Sequence, residues 1–282
     1  MAFTVNSQNG AEIDAEGRLG LFVFQPFAFV GRTVMNWIDH LGAATIFLGL
    51  ALLQTFRRKQ LLKTIQQVYY IGARSITIIM LVSLFTGMVL SLQSYHALLK
   101  FGAQGAVGSL VSLSLIMELG PVLTAIMITA RAGSAITAEI GILRISEQID
   151  ALHTMRINPL RYLVSPKIAA AIISFPLLTA VFDLIGIVGG YISGVVLLGL
   201  NAGVYLHSIK TYVVMSDINN GFVKSIVFAV IVATVCCYQG YFAHMRRDSH
   251  GAQAVGLATT SAVVLSCVLI LVSDYVVTSL LV

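Results

Sequence analysis

Five stretches of this chain are each apolar enough and long enough to cross a lipid bilayer, and nothing else in the sequence constrains its fold as strongly. A helix needs roughly 20 apolar residues to span the hydrocarbon core. The stretches run over residues 76–98, 108–130, 168–198, 223–242 and 255–281. A sixth, 19–56, is interrupted by Pro26, Arg32, Asn36, Asp39 and His40. That pattern suits interfacial or elbow helices followed by a partial or full span. Only 10% of the residues are charged, against roughly 25% in a soluble domain, so the chain cannot cover a water-facing surface. The expectation is an all-α polytopic membrane protein. Residues 1–17 are polar and carry Glu12, Asp14 and Glu16. They lack signal-peptide character and read as a disordered tail before a single domain over 18–282.

The net charge of +5 could suggest nucleic acid in a soluble chain, but here the basic residues flank apolar segments. Arg57, Arg58, Lys59, Lys63, Arg74, Arg144, Arg156, Arg161, Lys167, Arg246 and Arg247 fall in alternate loops. The opposite loops hold Lys100 and Lys210, with Lys224 at a membrane edge. Positive charge marks cytoplasmic loops, so the C-terminus is expected on the outer side. Cys236, Cys237 and Cys267 all lie within apolar runs and show neither disulfide nor metal spacing.

Charged residues inside spans are expensive and are candidates for function. Glu118, Lys224 and Asp274 map to a similar outer depth on three different spans. They could line a polar chamber, or form an ion pair that only holds helices together. Glu118 lies three residues before Pro121, where the helix is expected to bend or restart. Asp183 is more central and reads as a buried hydrogen-bonding residue. Arg131 ends its span among small residues, with Glu139 eight positions on as its expected partner. Gly186, Gly190 and Gly194 are spaced four apart, either a ridge for close helix packing or ordinary glycine enrichment.

The loop after the second span reads LRISEQIDALHTM over 143–155. Ser146 can cap a helix, and Glu147 suits its first turn. Ile145, Ile149 and Leu152 make one apolar face, while Glu147, Gln148 and Asp150 lie elsewhere. Membrane-surface helices favour basic polar faces. This acidic one suits a protein partner, such as a motor domain that would push on it. The chain itself has no phosphate-binding loop, no nucleophile elbow and no His or Cys ligand spacing. It is not expected to be an enzyme, and it offers no metal site.

The segments MELGPVLTAIMITARAGSAITAEIGILRISEQIDAL (117–152) and MRINPLRYLVSPKIAA (155–170) closely resemble the MlaE (YrbE) family of ABC-transporter permeases. Weaker similarity extends from about residue 60 to the C-terminus, through TGMVLSLQ (86–93) and VKSIVFA (223–229). The resemblance implies a homodimer in a Gram-negative inner membrane, with the C-terminus periplasmic. It implies a cytoplasmic ABC ATPase, which holds ATP and Mg, docked on the coupling helix through Ile145, Glu147, Gln148, Ile149, Asp150 and Leu152. It also implies a periplasmic MCE-domain hexamer and a STAS-domain protein bound to the ATPase. The cargo would be phospholipid, moved between inner and outer membranes to maintain outer-membrane lipid asymmetry. The lipid would sit in an outward-open cavity at the dimer interface. There Glu118, Lys224 and Asp274 would be polar, and Val89, Leu92, Val111 and Leu115 would face acyl chains.

Two departures stand out. Many relatives carry a basic residue where this chain has Met117, and residues 1–17 have no counterpart. Rival readings are an ion-coupled secondary transporter relaying through Glu118, Asp183 and Asp274, a scaffold for MCE proteins, and a permease for a sterol or another lipid. Internal repeats, expected of many secondary transporters, are not evident.

Overall fold

A computed structural model describes residues 42, 45–49, 61–245 and 251–281. The polar tail and most of the elbow segment expected over 19–56 lie outside the described residues. The chain divides into two compact units, Met1–Phe47 and Leu48–Val282, and all five long helices belong to the second.

Among the described residues there is no strand, and five helices are long and apolar enough to cross a membrane. They are α1 (Leu62–Leu99), α2 (Gln104–Ile145), α4 (Leu160–Leu197), α6 (Met215–Tyr241) and α7 (Ala252–Leu281). Two shorter helices are α3 (Gln148–Thr154), between α2 and α4, and α5 (Ala202–Tyr212), between α4 and α6. Four of the five long helices begin or end several residues beyond the apolar stretches, because polar flanks continue the same backbone hydrogen bonding.

Small residues set how the helices pack. The buried face of α1 carries Ser83, Gly87 and Ser91, and it meets the glycine ridge of α4. A side chain at Gly87 would strike the carbonyl of Gly186, one at Gly189 would strike that of Leu84, and one at Gly194 would reach Ser91 Oγ. Ser83 Oγ donates across this contact to the carbonyl of Phe182. Lipid tails are as apolar as leucine, so close backbone approach and cross-helix hydrogen bonds replace the hydrophobic effect as the association force. The α2–α6 contact uses the same devices. Gly240 packs on the backbone of Thr137, and Thr137 Oγ1 donates to the Cys236 carbonyl at 3.1 Å.

Helix α5 was not expected from the sequence. Asn201 caps it, accepting from the backbone N–H of Gly203 at 2.8 Å and of Val204 at 3.3 Å. Its Tyr205 is fully buried and donates to the Ile187 carbonyl at 3.3 Å. Burial pushes the Tyr205 hydroxyl up to about 12, so it stays a neutral donor. Helix α5 is thereby pinned to α4, with the Tyr205 ring edge-on to Tyr191.

Helix α2 widens twice into π turns, at Leu115–Leu119 and at Thr129–Gly133. The first contains Glu118 and the second Arg131. Single π turns concentrate at functional sites because they re-aim a side chain at the cost of one regular backbone bond.

Candidate functional site: a lysine held between two carboxylates

Pro121 explains the first π turn. Proline has no N–H, so the carbonyl of Met117, four residues back, loses its helical donor. The Gly120 N–H bonds instead to Leu115, five residues back. Helix α6 exploits the opening. Gly221 lets it approach so closely that a side chain there would strike the Ile116 carbonyl. One turn on, the Lys224 ammonium donates to the Met117 carbonyl at 2.9 Å.

The same ammonium lies 2.8 Å from Glu118 Oε1 and 3.1 Å from Asp274 Oδ1. Thr278 Oγ1, one turn beyond Asp274 on α7, approaches Glu118 Oε1 at 3.5 Å and donates to the Asp274 carbonyl at 2.7 Å. Three helices thus converge on one cation. The Lys224 side chain is 3% exposed, Asp274 20% and Glu118 43%. The cation is sealed in protein while a carboxylate faces outward. Similar depth on three spans groups these residues in the sequence, and the structure brings them together. Depth alone does not point to Thr278, Gly221 or the Met117 carbonyl. Thr278, four positions after Asp274, had a helical-spacing signal; the backbone acceptor had only Pro121.

Between α1 and α2 lies a cavity of about 370 Å³ lined by Phe85, Thr86, Val89, Leu90, Gln93 and Leu119, the last being the residue after Glu118. Val89 therefore lines it, and Leu92 is exposed one turn further along α1. Val111 and Leu115 do not share that surface. Both are fully buried inside the protomer, Val111 against Gly190 and Leu115 against Gly186. The glycine ridge of α4 takes up the side of α2 that had been expected to meet acyl chains.

Asp183 abuts Gly120, where any side chain would overlap its Oδ1. That oxygen is buried without a hydrogen-bond partner among the described residues, so the expected hydrogen-bonding role has no protein acceptor or donor there.

At the opposite end Arg131 does not pair with Glu139. Lys167, itself buried, takes Glu139 at 2.6 Å and ties the start of α4 to α2. Arg131 turns instead toward α1. The coupling helix also begins differently from expectation. Ser146 Oγ bonds back to the Ile142 carbonyl at 2.8 Å, and α3 starts at Gln148 after Glu147 in a left-handed conformation, φ 57°. Ser146 is thus spent on closing α2. Ile149 is buried and Leu152 half-buried, while Glu147, Gln148 and Asp150 are exposed. Arg144 holds Asp150 at 2.6 Å and donates from Nε to His244 Nδ1 at 3.1 Å. Partial burial, and then the neighbouring guanidinium, lower the His244 pKa from its ordinary value, which keeps the ring neutral as an acceptor. The apolar face of α3 is therefore seated on the bundle, and its acidic face is the one presented outward.

Comparison with known proteins adds to this geometry. The family described as Permease MlaE matches residues 64–280. The intermembrane phospholipid transport system permease protein MlaE of Haemophilus influenzae is 39% identical over 254 residues, 89% of this chain and 95% of that protein. A probable ABC transporter permease protein of Rickettsia typhi is 39% identical over 253 residues, 89% of this chain and 96% of its own length. The chloroplastic protein TRIGALACTOSYLDIACYLGLYCEROL 1 of Arabidopsis thaliana is 32% identical over 216 residues, covering 77% of this chain and 60% of that protein.

Proposed function

This chain belongs to the MlaE family of ABC-transporter permeases, and from that premise we propose that it is the membrane subunit of an ATP-driven phospholipid transporter in a bacterial inner membrane. Two copies enclose an outward-open cavity. A separate cytoplasmic ATPase binds and hydrolyses ATP, and docks on the acidic face of α3. An MCE-domain hexamer on the outer side passes lipid to or from the outer membrane, and a STAS-domain protein accompanies the ATPase.

The observation that carries this reading is the Glu118–Lys224–Asp274 cluster, together with a mostly apolar cavity that reaches Leu119, the residue after Glu118. A phospholipid needs both: a polar station for the headgroup and an apolar wall for the chains. The buried Lys224 fixes Glu118 in place, and Glu118 keeps a partly exposed carboxylate. With Met117 in place of a basic residue, that carboxylate complements the ammonium of an ethanolamine or choline headgroup. ATP-driven closure transmits force through α3 and the Arg144–Asp150 contact into α2, narrows the cavity and moves lipid out.

The test is purification with the co-expressed neighbours in mild detergent, with proteins and lipids identified together by mass spectrometry. The expected result is an ATPase, an MCE protein and bound phospholipid. A chain that purifies alone, or whose transport follows an ion gradient rather than ATP, would favour the ion-coupled reading, for which the unpartnered Asp183 oxygen is the specific observation.

A further inference from the structure

Arg131 is the second charged residue that α2 carries on a π turn, and the transport reading gives it no task. Its Nη1 donates to the Tyr70 carbonyl at 2.8 Å and to Ser75 Oγ at 3.0 Å. Those bonds use both hydrogens of one nitrogen. The guanidinium carries five N–H donors, and Nη2 and Nε have no acceptor among the described residues. No described carboxylate is within ion-pair distance of it, since Lys167 occupies Glu139. The Tyr70 ring lies 5.5 Å from Arg131 and 5.4 Å from Arg74, so two cations share one aromatic ring. Arg131 also lines a cavity of about 330 Å³ with Ser75, Ile78, Ile79, Met127 and Ala130. All but Arg131 and Ser75 are apolar.

A guanidinium at the edge of a membrane span, braced on one nitrogen and open on the others, calls for an anion, and its fork fits a phosphate better than a point charge does. Apolar walls beside it call for an acyl chain. The cavity is also in line with the one that Phe85 and Leu119 line. Ile78 precedes Phe85 by seven residues, two helical turns or about 10 Å on the same face of α1. Met127 follows Leu119 by eight on α2.

We propose that Arg131 is the phosphate ligand of a second lipid site, at the basic end of the α1–α2 groove, where a phospholipid rests in the leaflet opposite the Glu118 cluster. The choice of lipid as occupant rests on the transport reading; the anion chemistry does not, and it would also suit inorganic phosphate.

The experiment places a benzophenone amino acid at Met127 or, separately, at Leu119, in cells expressing the whole system and grown on radioactive phosphate. Irradiation inserts the ketone into a nearby C–H bond. Inorganic phosphate has none, so protein-bound label reports lipid. Label is expected at both positions. R131Q should reduce label at Met127 by about tenfold, the effect of one lost charge-assisted hydrogen bond, and leave Leu119 unchanged; R131K should restore part of it. Unchanged label at Met127 in R131Q would overturn the proposal. Label lost at both positions would make Arg131 a brace of the fold and overturn it equally. Absence of label at Met127 in otherwise wild-type protein, or its displacement by excess inorganic phosphate, would also sink the second lipid site without touching the transport reading. Label at Met127 with none at Leu119 would do the reverse.

Discussion

At the residue scale, Lys224 and Glu118 share an ion pair but have separable duties. Lys224 is sealed from solvent and answers three acceptors. Removing it leaves a backbone carbonyl and Asp274 unanswered in a low-dielectric setting. Lys224→Ala should therefore cost about 2 kcal/mol, seen as a lower melting temperature of the detergent-purified protein. Glu118 is nearly half exposed, and exposed ion pairs contribute roughly 0–1 kcal/mol. Glu118→Gln should melt within a few degrees of wild type yet lose most lipid-stimulated ATPase activity in the reconstituted complex. Equal stability losses in the two variants would contradict this division. Met117 takes part through its carbonyl rather than its side chain, which is why the departure from a basic residue leaves the lysine anchored.

At the element scale, the π turn of α2 depends on Pro121. Pro121→Ala restores an N–H that can compete with Lys224 for the Met117 carbonyl and draw the turn back to regular α geometry. The residues before it would then rotate by about 100°, one residue's share of a helical turn. The expected outcome is a folded protein with impaired transport and a protected amide at residue 121, a position where wild type has no amide hydrogen, measured by hydrogen exchange. The α1–α4 contact makes a different prediction. Gly87→Ala places a methyl group against the Gly186 carbonyl, and overpacking of that kind costs about 1–3 kcal/mol. Gly256→Ala, in open space on α7, should be neutral or stabilise slightly. Thermal melts of both variants check the pair. The spans and the glycine ridge were legible in the sequence because apolar length and four-residue spacing are local signals. Helix α5 was not, since 11 polar-mixed residues lack the length that marks a span. The partner of Glu139 was also illegible: Arg131 is nearer in sequence, but Lys167 is brought there by the packing of α4 on α2.

At the scale of the whole molecule, the basic residues gather at one end and the Lys224 cluster lies toward the other. The positive-inside rule predicts that residue 146 faces the cytoplasm and residue 215 the outer side. Ser146→Cys should react with a membrane-impermeant maleimide only after permeabilisation, and Met215→Cys in intact spheroplasts; the reverse pattern would invert the protein. Grouping of the site residues was legible for a related reason. Depth along a span can be counted from its ends, so Glu118, Lys224 and Asp274 could be aligned without knowing which helices touch. Which face of α2 each residue occupies could not be counted, because the π turn at Leu115–Leu119 shifts the helical phase between Val111 and Glu118. That is why Leu115 and Val111 were placed in the cavity and are found in the core.

The sealed lysine also bears on how the chain is made. During synthesis α6 enters the bilayer carrying a charge that costs about 2.5–3.5 kcal/mol at mid-membrane. Asp274 is still 50 residues away on the nascent chain, but Glu118 and the Met117 carbonyl are already in place on α2. Two of the three acceptors of the α6 lysine are thus synthesised before it and the third after it. A chain interrupted before α7 would still carry both of the earlier acceptors.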